Sequence, residues 1–517
     1  MSIVISEMLK KGIVTETRET SGFISHMFLR LKANGKPRPI FNLSHLNTFL
    51  ALKRFRLINH FKLPKFLMPG DFMVTVDLSD AYCHVPIKQS HQRFLAFRYM
   101  GTTYNWTCLP FGLASAPQAF AQLSNWVAQL LRSWGVRVVV YLDDFLIAAR
   151  SPLQLEEDTK LTLNLLRHLG WVVNMQKSQL NPSQSRSFLG LDWDTRTETV
   201  SLPDQKARDI RHHIGQFLSK GKWSLKAHRQ LLGILSFAAF AVPLGRLHLR
   251  PLQIAGRSLP RGNPRENRTI PPPCLTALTW WSRHLKDGSP YTPPPRSVVI
   301  STDASDWGLG VHIGSHLYLR HEWSEQQQTW HINHKELYAI RWAIESNLQL
   351  FRNKSITVLT DSTTVAGQIR KEGGLRSKTL LLETDKLLRL VYSLQSVLKP
   401  IRLPGVYNTL ADRLSRNLAL PEWHLTEEAT SAIFKRWGTP EVDLFASHRS
   451  AVVPSYVTLD PSDPLASSSR MLSRDPGCST LPGSSPLLPM DLKHLGQHVV
   501  WFTVYARFES HAMRHDH

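Results

Sequence analysis

The chain lacks the features typical of secreted and membrane proteins. It has four cysteines in 517 residues, and no two of them form a Cys-x-x-Cys pair, which argues against a disulfide framework and a structural zinc site. The longest apolar stretch, residues 234–244, contains Pro243 and is too short to cross a bilayer. The N-terminus carries no apolar signal region. We therefore expect an intracellular protein, in the cytoplasm or the nucleus, with no membrane partner.

Acidic residues are scarce relative to basic ones. The chain has 40 Asp and Glu against 62 Lys and Arg, which gives a formal net charge of +22. An excess of this size predicts a polyanionic partner, and nucleic acid is the first candidate. Hydrophobic residues make up 42% and charged residues 20%, as in globular domains with substantial cores. At roughly 150 residues per domain, the length allows about three or four domains.

Composition and periodicity divide the chain into five parts. Strand-like and helix-like segments alternate in the first and fourth parts, whereas the second is basic and mainly helical. The third holds nine prolines and predicts an extended linker around a short helical piece. In the last part the pattern of strands and helices weakens, and we expect a partly disordered tail that is rich in Ser and Pro between 461 and 489. The predicted boundaries are 1–200, 201–255, 256–296, 297–418 and 419–517.

Two adjacent aspartates interrupt an apolar run. Residues 138–149 read VVVYLDDFLIAA, which predicts two buried strands joined by a tight turn with Asp143 and Asp144 at its tip. Burying both carboxylates without compensation would cost several kcal/mol, and a divalent metal would offset their charge. A water-exposed Asp-Asp turn is the alternative. A strand over Met73–Val76 leads to Asp77, which would supply the third carboxylate of a two-metal site.

Between these strands lies LPFGLASAPQAF, residues 109–120. Its Pro and Gly residues indicate a turn where the backbone can approach a ligand closely. A helix is expected to follow it. Its predicted core-facing stripe has a purely structural role and consists of Phe120, Leu123, Val127, Leu130 and Trp134.

Together these segments resemble the palm motifs of reverse transcriptases. VDLSDAY and YLDD resemble the two carboxylate motifs, and LPFGLASAP resembles the nucleotide-facing turn between them. LKANGKPRPIFNLSHLN, at residues 31–47, resembles the fingers segment that grips the incoming triphosphate. LGWVVNMQKS resembles the motif whose lysine lies near the leaving pyrophosphate. FLGLDWD, at residues 188–194, resembles the hairpin that grips the primer end.

The resemblance implies a role for each matched residue. The primer 3′-hydroxyl would attack the α-phosphate of a dNTP at two Mg²⁺ ions, with Mn²⁺ as an alternative. Tyr82 stands where the family places a steric gate against the ribose 2′-hydroxyl. The catalytic metal ligands would be Asp77, Asp143 and Asp144, and the nucleotide-binding residues would be Lys32, Arg38, Tyr82, Gly112 and Lys177.

A second set of carboxylates follows the predicted linker. SVVISTDA and SITVLTDS predict strands that lead to Asp303 and Asp361, and HKELYAIRWAI predicts a helix that carries Glu336. Asp412 lies in the helical segment NTLADRLSR. Any one of these acids could be a solvated surface residue. The set resembles a ribonuclease H domain, which implies that all four carboxylates bind two Mg²⁺ and cleave the RNA strand of an RNA–DNA hybrid. The loop before Asp412 lacks the histidine that many such domains carry.

The resemblance implies an α+β right-hand polymerase with fingers, palm and thumb, followed by an α/β ribonuclease H-like domain with a mixed sheet. The implied protein is a retroelement RNA-directed DNA polymerase with ribonuclease H. Its partners would be an RNA template, a DNA primer, RNA–DNA hybrid and dNTPs. Residues 437–464 resemble a segment of DIRS-type elements, which use a separately encoded recombinase, and the gypsy type is second. A decayed remnant that only binds RNA or hybrid, and an RNA-dependent RNA polymerase, are the alternatives.

Overall fold

The computed structural model describes residues 1–18, 22–31, 37–314, 317–418, 425–444, 446–448, 450–458 and 465–466. Contacts divide the chain into two compact units, Met1–Arg416 and Asn417–His517, which are considered separately. Lys32 and most of the predicted tail lie outside the described residues. Among the helices of the described ranges, none combines the length and apolar character needed to cross a bilayer.

The first 150 residues contain short strands and one long helix. Two 3-10 helices, Leu63–Lys65 and Ala81–His84, lie among them. The other elements, in chain order, are α1 Ser2–Lys10, β1 Val14–Thr17, β2 His26–Leu31, β3 Pro37–Asn42, α2 Ser44–Asn47, β4 Phe72–Asp77, α3 Gln89–Gln92, β5 Ala96–Tyr99, β6 Thr102–Trp106, α4 Ala116–Ser133, β7 Val138–Tyr141 and β8 Asp144–Ala149.

The next 140 residues or so are mainly helical. Helix α8 contains Pro251, and α9 begins at two prolines, which its first turn tolerates because those N–H groups have no intrahelical partner. The elements are α5 Pro152–His168, β9 Gln179–Ser183, β10 Ser185–Phe188, β11 Leu191–Asp194, β12 Thr199–Ser201, α6 Asp204–Lys220, β13 Lys222–Ser224, α7 Leu225–Ala238, α8 Gly245–Ala255, β14 Asn267–Thr269, α9 Pro272–His284 and β15 Ser289–Pro290.

The central sheet of residues 1–200 is antiparallel and has the order β7-β8-β4-β9. The predicted hairpin is confirmed: β7 and β8 pair directly, with Leu142 in the left-handed region (φ 55°) at the turn. Strand β8 also pairs with β4, which places Asp77 opposite Asp144. Helices α4 and α5 pack on this sheet through buried apolar residues such as Phe120 and Leu155. The register thus brings the two predicted carboxylate motifs together.

The core face of α4 differs from the predicted stripe. Phe120 and Val127 are buried as expected, but Leu130 is 41% exposed and Trp134 is 48% exposed. The buried face instead runs along Phe120, Ala121, Ser124, Val127, Ala128 and Leu131. The prediction was wrong at these positions because it assigned the large apolar side chains to the core. Close approach of α4 to the sheet buries small residues, and large apolar residues remain on the outer face.

The segment predicted as an extended Pro-rich linker, residues 256–296, is packed against its neighbours. Helix α9 buries Cys274, Leu278 and Trp281 in a core shared with α6, α7 and α8. Strand β15 joins the sheet β10-β11-β12-β15 by pairing with β12. The prolines bound these elements and do not hold the whole segment extended. Trp223, for which the sequence predicts a thumb contact with the template–primer, is instead 1% exposed and belongs to the same core.

The second half of the first unit is built on a mixed five-stranded sheet of order β18-β17-β16-β19-β20. Strands β16, β19 and β20 pair in parallel, whereas β17 pairs antiparallel with β16, and β18 pairs antiparallel with β17. The elements are β16 Ser297–Ala304, β17 Gly308–Ile313, β18 Leu317–Glu322, α10 Glu325–Gln328, α11 Ile332–Glu345, α12 Leu348–Phe351, β19 Ser355–Thr360, α13 Thr363–Lys371, α14 Lys378–Ser393, β20 Val397–Arg402, the 3-10 helix Gly405–Tyr407 and α15 Thr409–Ser415.

This sheet has its own core. Helices α11, α13 and α14 bury their apolar faces against it, through residues such as Leu337, Ile369 and Leu387. The mixed sheet agrees with the predicted α/β class. The second unit contributes helix α16 Glu427–Trp437 and the short parallel strands β21 Asp443–Leu444 and β22 Tyr456–Val457. Thr426 caps α16 by accepting a hydrogen bond from the Ala429 N–H at 3.3 Å.

Candidate active sites

The first candidate site lies at one end of the central antiparallel sheet. Asp77 ends β4 and Asp144 begins β8, and their carboxyl groups are in hydrogen-bonding contact. Burial, together with the charges of Asp143 and Asp77, raises the pKa of Asp144 to about 7. Carboxyl groups whose negative charges disfavour one another in this way would be stabilised by a divalent cation. The structure therefore brings all three predicted palm aspartates into one electrostatic group.

Two polar residues that the sequence reasoning missed hold Asp77 in place. The backbone of Asp77 accepts a hydrogen bond from the Asn174 N–H at 2.7 Å and donates one to Ser178 Oγ at 3.0 Å. Both residues belong to the motif that carries Lys177. The lysine Nζ lies 3.3 Å from Asp77 Oδ1, and 68% of its side chain is exposed. Lys177 therefore places an accessible positive charge directly beside the carboxylates, where it faces solvent.

Tyr82 lies close to the carboxylates on the 3-10 helix that follows β4. Its ring packs against Phe111 (centroids 5.1 Å apart) and edge-on against Phe120 (5.6 Å). Burial, with the charge of Asp143, raises the pKa of the Tyr82 phenol. Because it touches both the turn after Pro110 and helix α4, the ring is held firmly beside the three aspartates. The role of Tyr82 as a steric gate remains a prediction.

Gly112 is needed for backbone packing. It has φ +108°, and a Cβ there would lie 2.3 Å from the carbonyl oxygen of Phe41. Asn47, another residue that the sequence reasoning missed, holds the turn: it donates to the Gly112 carbonyl at 2.9 Å and accepts from the Ala114 N–H at 2.9 Å. Arg38 lies on β3 opposite Arg30. Nucleotide contacts of Lys32, Arg38 and Gly112 remain predictions.

The second candidate site lies at the edge where parallel strands β16 and β19 end. Ligand oxygens of Asp303, Glu336 and Asp361 all fall within 4.8 Å of one another. Burial, with the charges of the other two acids, raises the pKa of Glu336 to about 9, and burial raises that of Asp303 to about 6. Within the described ranges, the buried Glu336 Oε2 has no hydrogen-bond partner. An unsatisfied buried carboxylate oxygen among other carboxylates is suited to a divalent cation.

Asp412 lines a cavity of about 450 Å³ that Asp303 and Asp361 also border. It is not one of the three acids within 4.8 Å, and its Oδ1 accepts a hydrogen bond from Arg416 Nε at 2.7 Å. The structure therefore brings three of the four predicted acids close together and places the fourth at the rim, paired with an arginine.

Two further residues position Asp303. Ser415 Oγ donates to Asp303 Oδ2 at 2.7 Å. Asn408 is 2% exposed and bonds strand β16 twice, to Ser301 Oγ (2.6 Å) and to the Thr302 carbonyl (3.0 Å). Asn408 stands at the N-cap position of α15, yet its side chain makes no cap hydrogen bond. Its sequence signal was therefore that of an ordinary helix cap, and only the tertiary structure shows its role.

The two regions match separate families. Residues 31–193 match the reverse transcriptase (RNA-dependent DNA polymerase) family, and residues 294–395 match the RNase H-like domain found in reverse transcriptase. The two matched regions stand in the order that the sequence predicted, a reverse transcriptase-like region followed by a ribonuclease H-like region.

Three curated relatives are polyproteins. The Gag-Pro-Pol polyprotein of Human T-cell leukemia virus 2 is 30% identical over 213 residues, which cover 40% of this chain and 14% of that protein. The Transposon Tf2-3 polyprotein of Schizosaccharomyces pombe is 24% identical over 444 residues (80% and 30%). The Enzymatic polyprotein of Figwort mosaic virus is 24% identical over 443 residues (80% and 61%). This chain therefore spans less than two thirds of each relative's length.

Solved structures of the foamy viral protease-reverse transcriptase have a similar fold. The complex with double-stranded DNA has a TM-score of 0.52 at 17% identity, covering 82% of this chain and 70% of that chain. The complex with RNA/DNA hybrid has a TM-score of 0.50 at 19% identity (82% and 55%). The predicted fold class is thereby confirmed: a right-hand polymerase followed by a ribonuclease H-like domain.

Proposed function

We propose that this chain is an RNA-directed DNA polymerase that also cleaves the RNA strand of the hybrid it makes. The observation that carries the proposal is the presence of two separate carboxylate groups in one chain. Asp77 and Asp144 meet across β4 and β8 in the reverse transcriptase domain. Asp303, Glu336 and Asp361 converge in the ribonuclease H-like domain. Synthesis and cleavage each require such a cluster of carboxylates, because in both reactions an oxygen attacks phosphorus in line with the phosphorus–oxygen bond that breaks.

Divalent cations fit both groups. The raised pKa of Asp144 and the unpartnered buried oxygen of Glu336 mark positions where a negative charge on the carboxylate would lack compensation. Asp77, Asp143 and Asp144 would hold two Mg²⁺ in the first site, and Asp303, Glu336, Asp361 and Asp412 would hold two in the second, with Mn²⁺ as an alternative. When bound, the cations stabilise the negative charge on the attacking and leaving oxygens.

In the polymerase site, the chain's own residues arrange the substrate. Lys177 supplies an accessible ammonium group beside Asp77, in a position to pair with triphosphate oxygens. Lys32, Arg38 and the turn at Gly112 are proposed to complete the nucleotide site. Tyr82 would lie beneath the sugar and exclude a 2′-hydroxyl. Asn174 and Ser178 keep Asp77 fixed through its backbone, so the carboxylate needs no reorganisation when substrate binds.

In the ribonuclease H-like site, Ser415 and Asn408 hold Asp303 and its strand, and Arg416 holds Asp412. A hybrid strand whose 2′-hydroxyls mark it as RNA would be the substrate. The net charge of +22 favours RNA template, DNA primer and hybrid as partners. The similar foamy viral structures contain double-stranded DNA and RNA/DNA hybrid.

The finer assignments are proposals as well. Residues 437–464 support a DIRS-type retroelement over the gypsy type, with a separately encoded recombinase as partner. We propose that fingers and palm occupy 1–200, the thumb 201–255 and the ribonuclease H-like domain 297–418. Reverse transcription would take place inside the cell, in the cytoplasm or the nucleus.

The test of the polymerase is dTTP incorporation on poly(rA)–oligo(dT) with Mg²⁺. The wild-type chain is expected to extend the primer. The Asp143→Asn/Asp144→Asn variant should lose incorporation by about 10³-fold or more, because two ligand charges are lost. Primer extension that survives in this variant would contradict the assigned site. A folded wild-type chain that binds hybrid with no incorporation would instead support the remnant alternative.

Tyr82→Ala is expected to relax sugar selection. Removal of the ring opens space beside the carboxylates, so rGTP or rUTP incorporation should rise relative to the matching dNTP by about 10-fold or more. The measurement is the ratio of kcat/KM values for the two sugars on one template–primer. Tyr82→Phe serves as the control, since it keeps the ring and should keep the ratio. An unchanged ratio in Tyr82→Ala would show that another group discriminates the sugars.

A further inference from the structure

Two arginines, one in helix α8 and one just after it, contact the end of a helix in the ribonuclease H-like domain. Arg250 donates through Nη2 to the Lys371 carbonyl and through Nε to the Glu372 carbonyl at 3.2 Å. Arg257 donates to the Leu375 carbonyl at 3.0 Å. Lys371 is the last residue of α13, and the final carbonyls of a helix have no intrahelical donor. The guanidinium groups supply these missing donors from another domain.

The loop that receives the arginines has a constrained shape. Glu372 and Gly373 both have positive φ, at 53° and 101°. A Cβ on Gly373 would lie 2.7 Å from Leu381 Cδ1 and 3.5 Å from Arg250 Cγ, so the loop backbone is packed tightly. The Glu372 carboxylate is 3.9 Å from Arg246 Nη1. The loop therefore presents its carbonyl acceptors in a restricted conformation.

The donors are held as firmly as the acceptors. Arg250 Nη1 donates to Gln253 Oε1 at 2.7 Å, one turn further along α8, which orients the guanidinium plane. A second contact lies nearby: His248 stacks on Trp280, with ring centroids 3.7 Å apart, and its Nε2 is 3.3 Å from Arg389 Nη2 on α14. Contacts at two points on α8 restrain rotation of one domain against the other more strongly than one contact would.

We propose that Arg250 and Arg257 are positioning residues that hold the ribonuclease H-like domain at a fixed distance from the polymerase carboxylates. Domains joined by small interfaces usually move relative to each other. Charged forks that bond backbone carbonyls in a rigid loop restrict this motion. RNA would then be cut at a set distance behind the growing primer end. This inference rests on the proposed function, and it adds what sets the register between the two activities.

The test uses the full chain on an end-labelled RNA annealed to a DNA primer, with Mg²⁺ and no dNTP. Wild type is expected to give one dominant RNA product. Arg250→Ala/Arg257→Ala should spread the cuts over several neighbouring positions and lower the dominant product several-fold. Primer extension with dNTPs, and cleavage of a hybrid too short to occupy both sites, should stay within about twofold of wild type.

Two matched variants separate positioning from general effects. Arg376→Ala removes an exposed positive charge from the same loop and should leave the cutting pattern unchanged. Arg250→Lys keeps the charge with fewer and less directed donors, and should give an intermediate spread. A pattern in the double variant that is as sharp as wild type, with both activities intact, would overturn the inference.

A second readout does not depend on activity. Amide hydrogen exchange should accelerate at the end of α13, around residues 368–375, in Arg250→Ala/Arg257→Ala and not in Arg376→Ala. Unchanged exchange in that segment would overturn the inference. If the wild-type chain neither extends primers nor cuts hybrid, the proposed function fails, while the exchange result still decides whether the arginines fasten the two domains.

Discussion

Glu336→Gln is expected to reduce cleavage of RNA in a hybrid by about 10³-fold or more while primer extension stays within about twofold of wild type. Glu336 supplies one of three ligand oxygens that fall within 4.8 Å of one another. Glutamine has the same shape and cannot carry the negative charge that binds a divalent cation. The measurement is the initial rate of cutting of a labelled RNA strand, with primer extension assayed on the same protein preparation.

This loss should occur without unfolding. Burial raises the pKa of Glu336 to about 9, so the folded protein disfavours its charged form when no cation is bound. At neutral pH the amide therefore replaces a carboxyl group that is mainly protonated and uncharged, and the thermal midpoint of the metal-free protein should not fall. Glu345→Gln is the matched control, because Glu345 lies on the same helix and pairs with Arg341 away from the cavity. Full cleavage by Glu336→Gln would show that Glu336 is not a ligand.

Asp71→Ala is expected to lower the free energy of unfolding by about 3–5 kcal/mol. Asp71 is fully buried and precedes β4, and its two carboxylate oxygens receive a forked pair of hydrogen bonds from Arg137 at 2.9 and 2.7 Å. The Met68 N–H also donates to it at 2.8 Å, and Arg150 lies at 3.5 Å. Removing the carboxylate leaves these donors without their acceptor, and Arg137 with a charge that is mostly buried.

The ion pair between Asp71 and Arg137 also joins separate parts of the sheet. Arg137 precedes β7 and Arg150 follows β8, so the fork fastens the end of the hairpin opposite Asp77 and Asp144. The measurement is the urea midpoint of unfolding, followed by tryptophan fluorescence. Asp385→Ala is the control. Its pair with Arg389 is partly exposed and should cost about 0.5 kcal/mol. A loss in Asp71→Ala as small as that in the control would contradict the assigned role.

Much of the first site could be predicted from short-range signals. The run VVVYLDDFLIAA predicts two strands and a turn because apolar residues flank the aspartates on both sides. The structure confirms that hairpin and strand β4. The partners of Asp77 were out of reach, since Asn174 and Ser178 come from about a hundred residues further along. Neither residue type carries a local signal for such a contact.

The two wrong predictions about the fold have one physical cause. The stripe on α4 and the linker at 256–296 were assigned from residue size and proline content, which report local preference. Close packing of α4 buried Ala121, Ser124 and Ala128 instead of Leu130. The apolar face of α9 packs into a core formed with other helices. Burial of Trp281 and its neighbours there outweighs the tendency of the flanking prolines to extend the chain.

The sequence by itself determined which side chains could carry the chemistry: seven carboxylates at the ends of strands and on helices, and a positive charge suited to nucleic acid. Residue type and local periodicity suffice for that, because both act within a few residues. Only the tertiary structure decided the state of those groups. It buried Glu336 beside two other acids, tied Asp303 to Ser415, and joined α8 to the end of α13. These effects depend on distances between residues far apart in the chain, which no local pattern encodes.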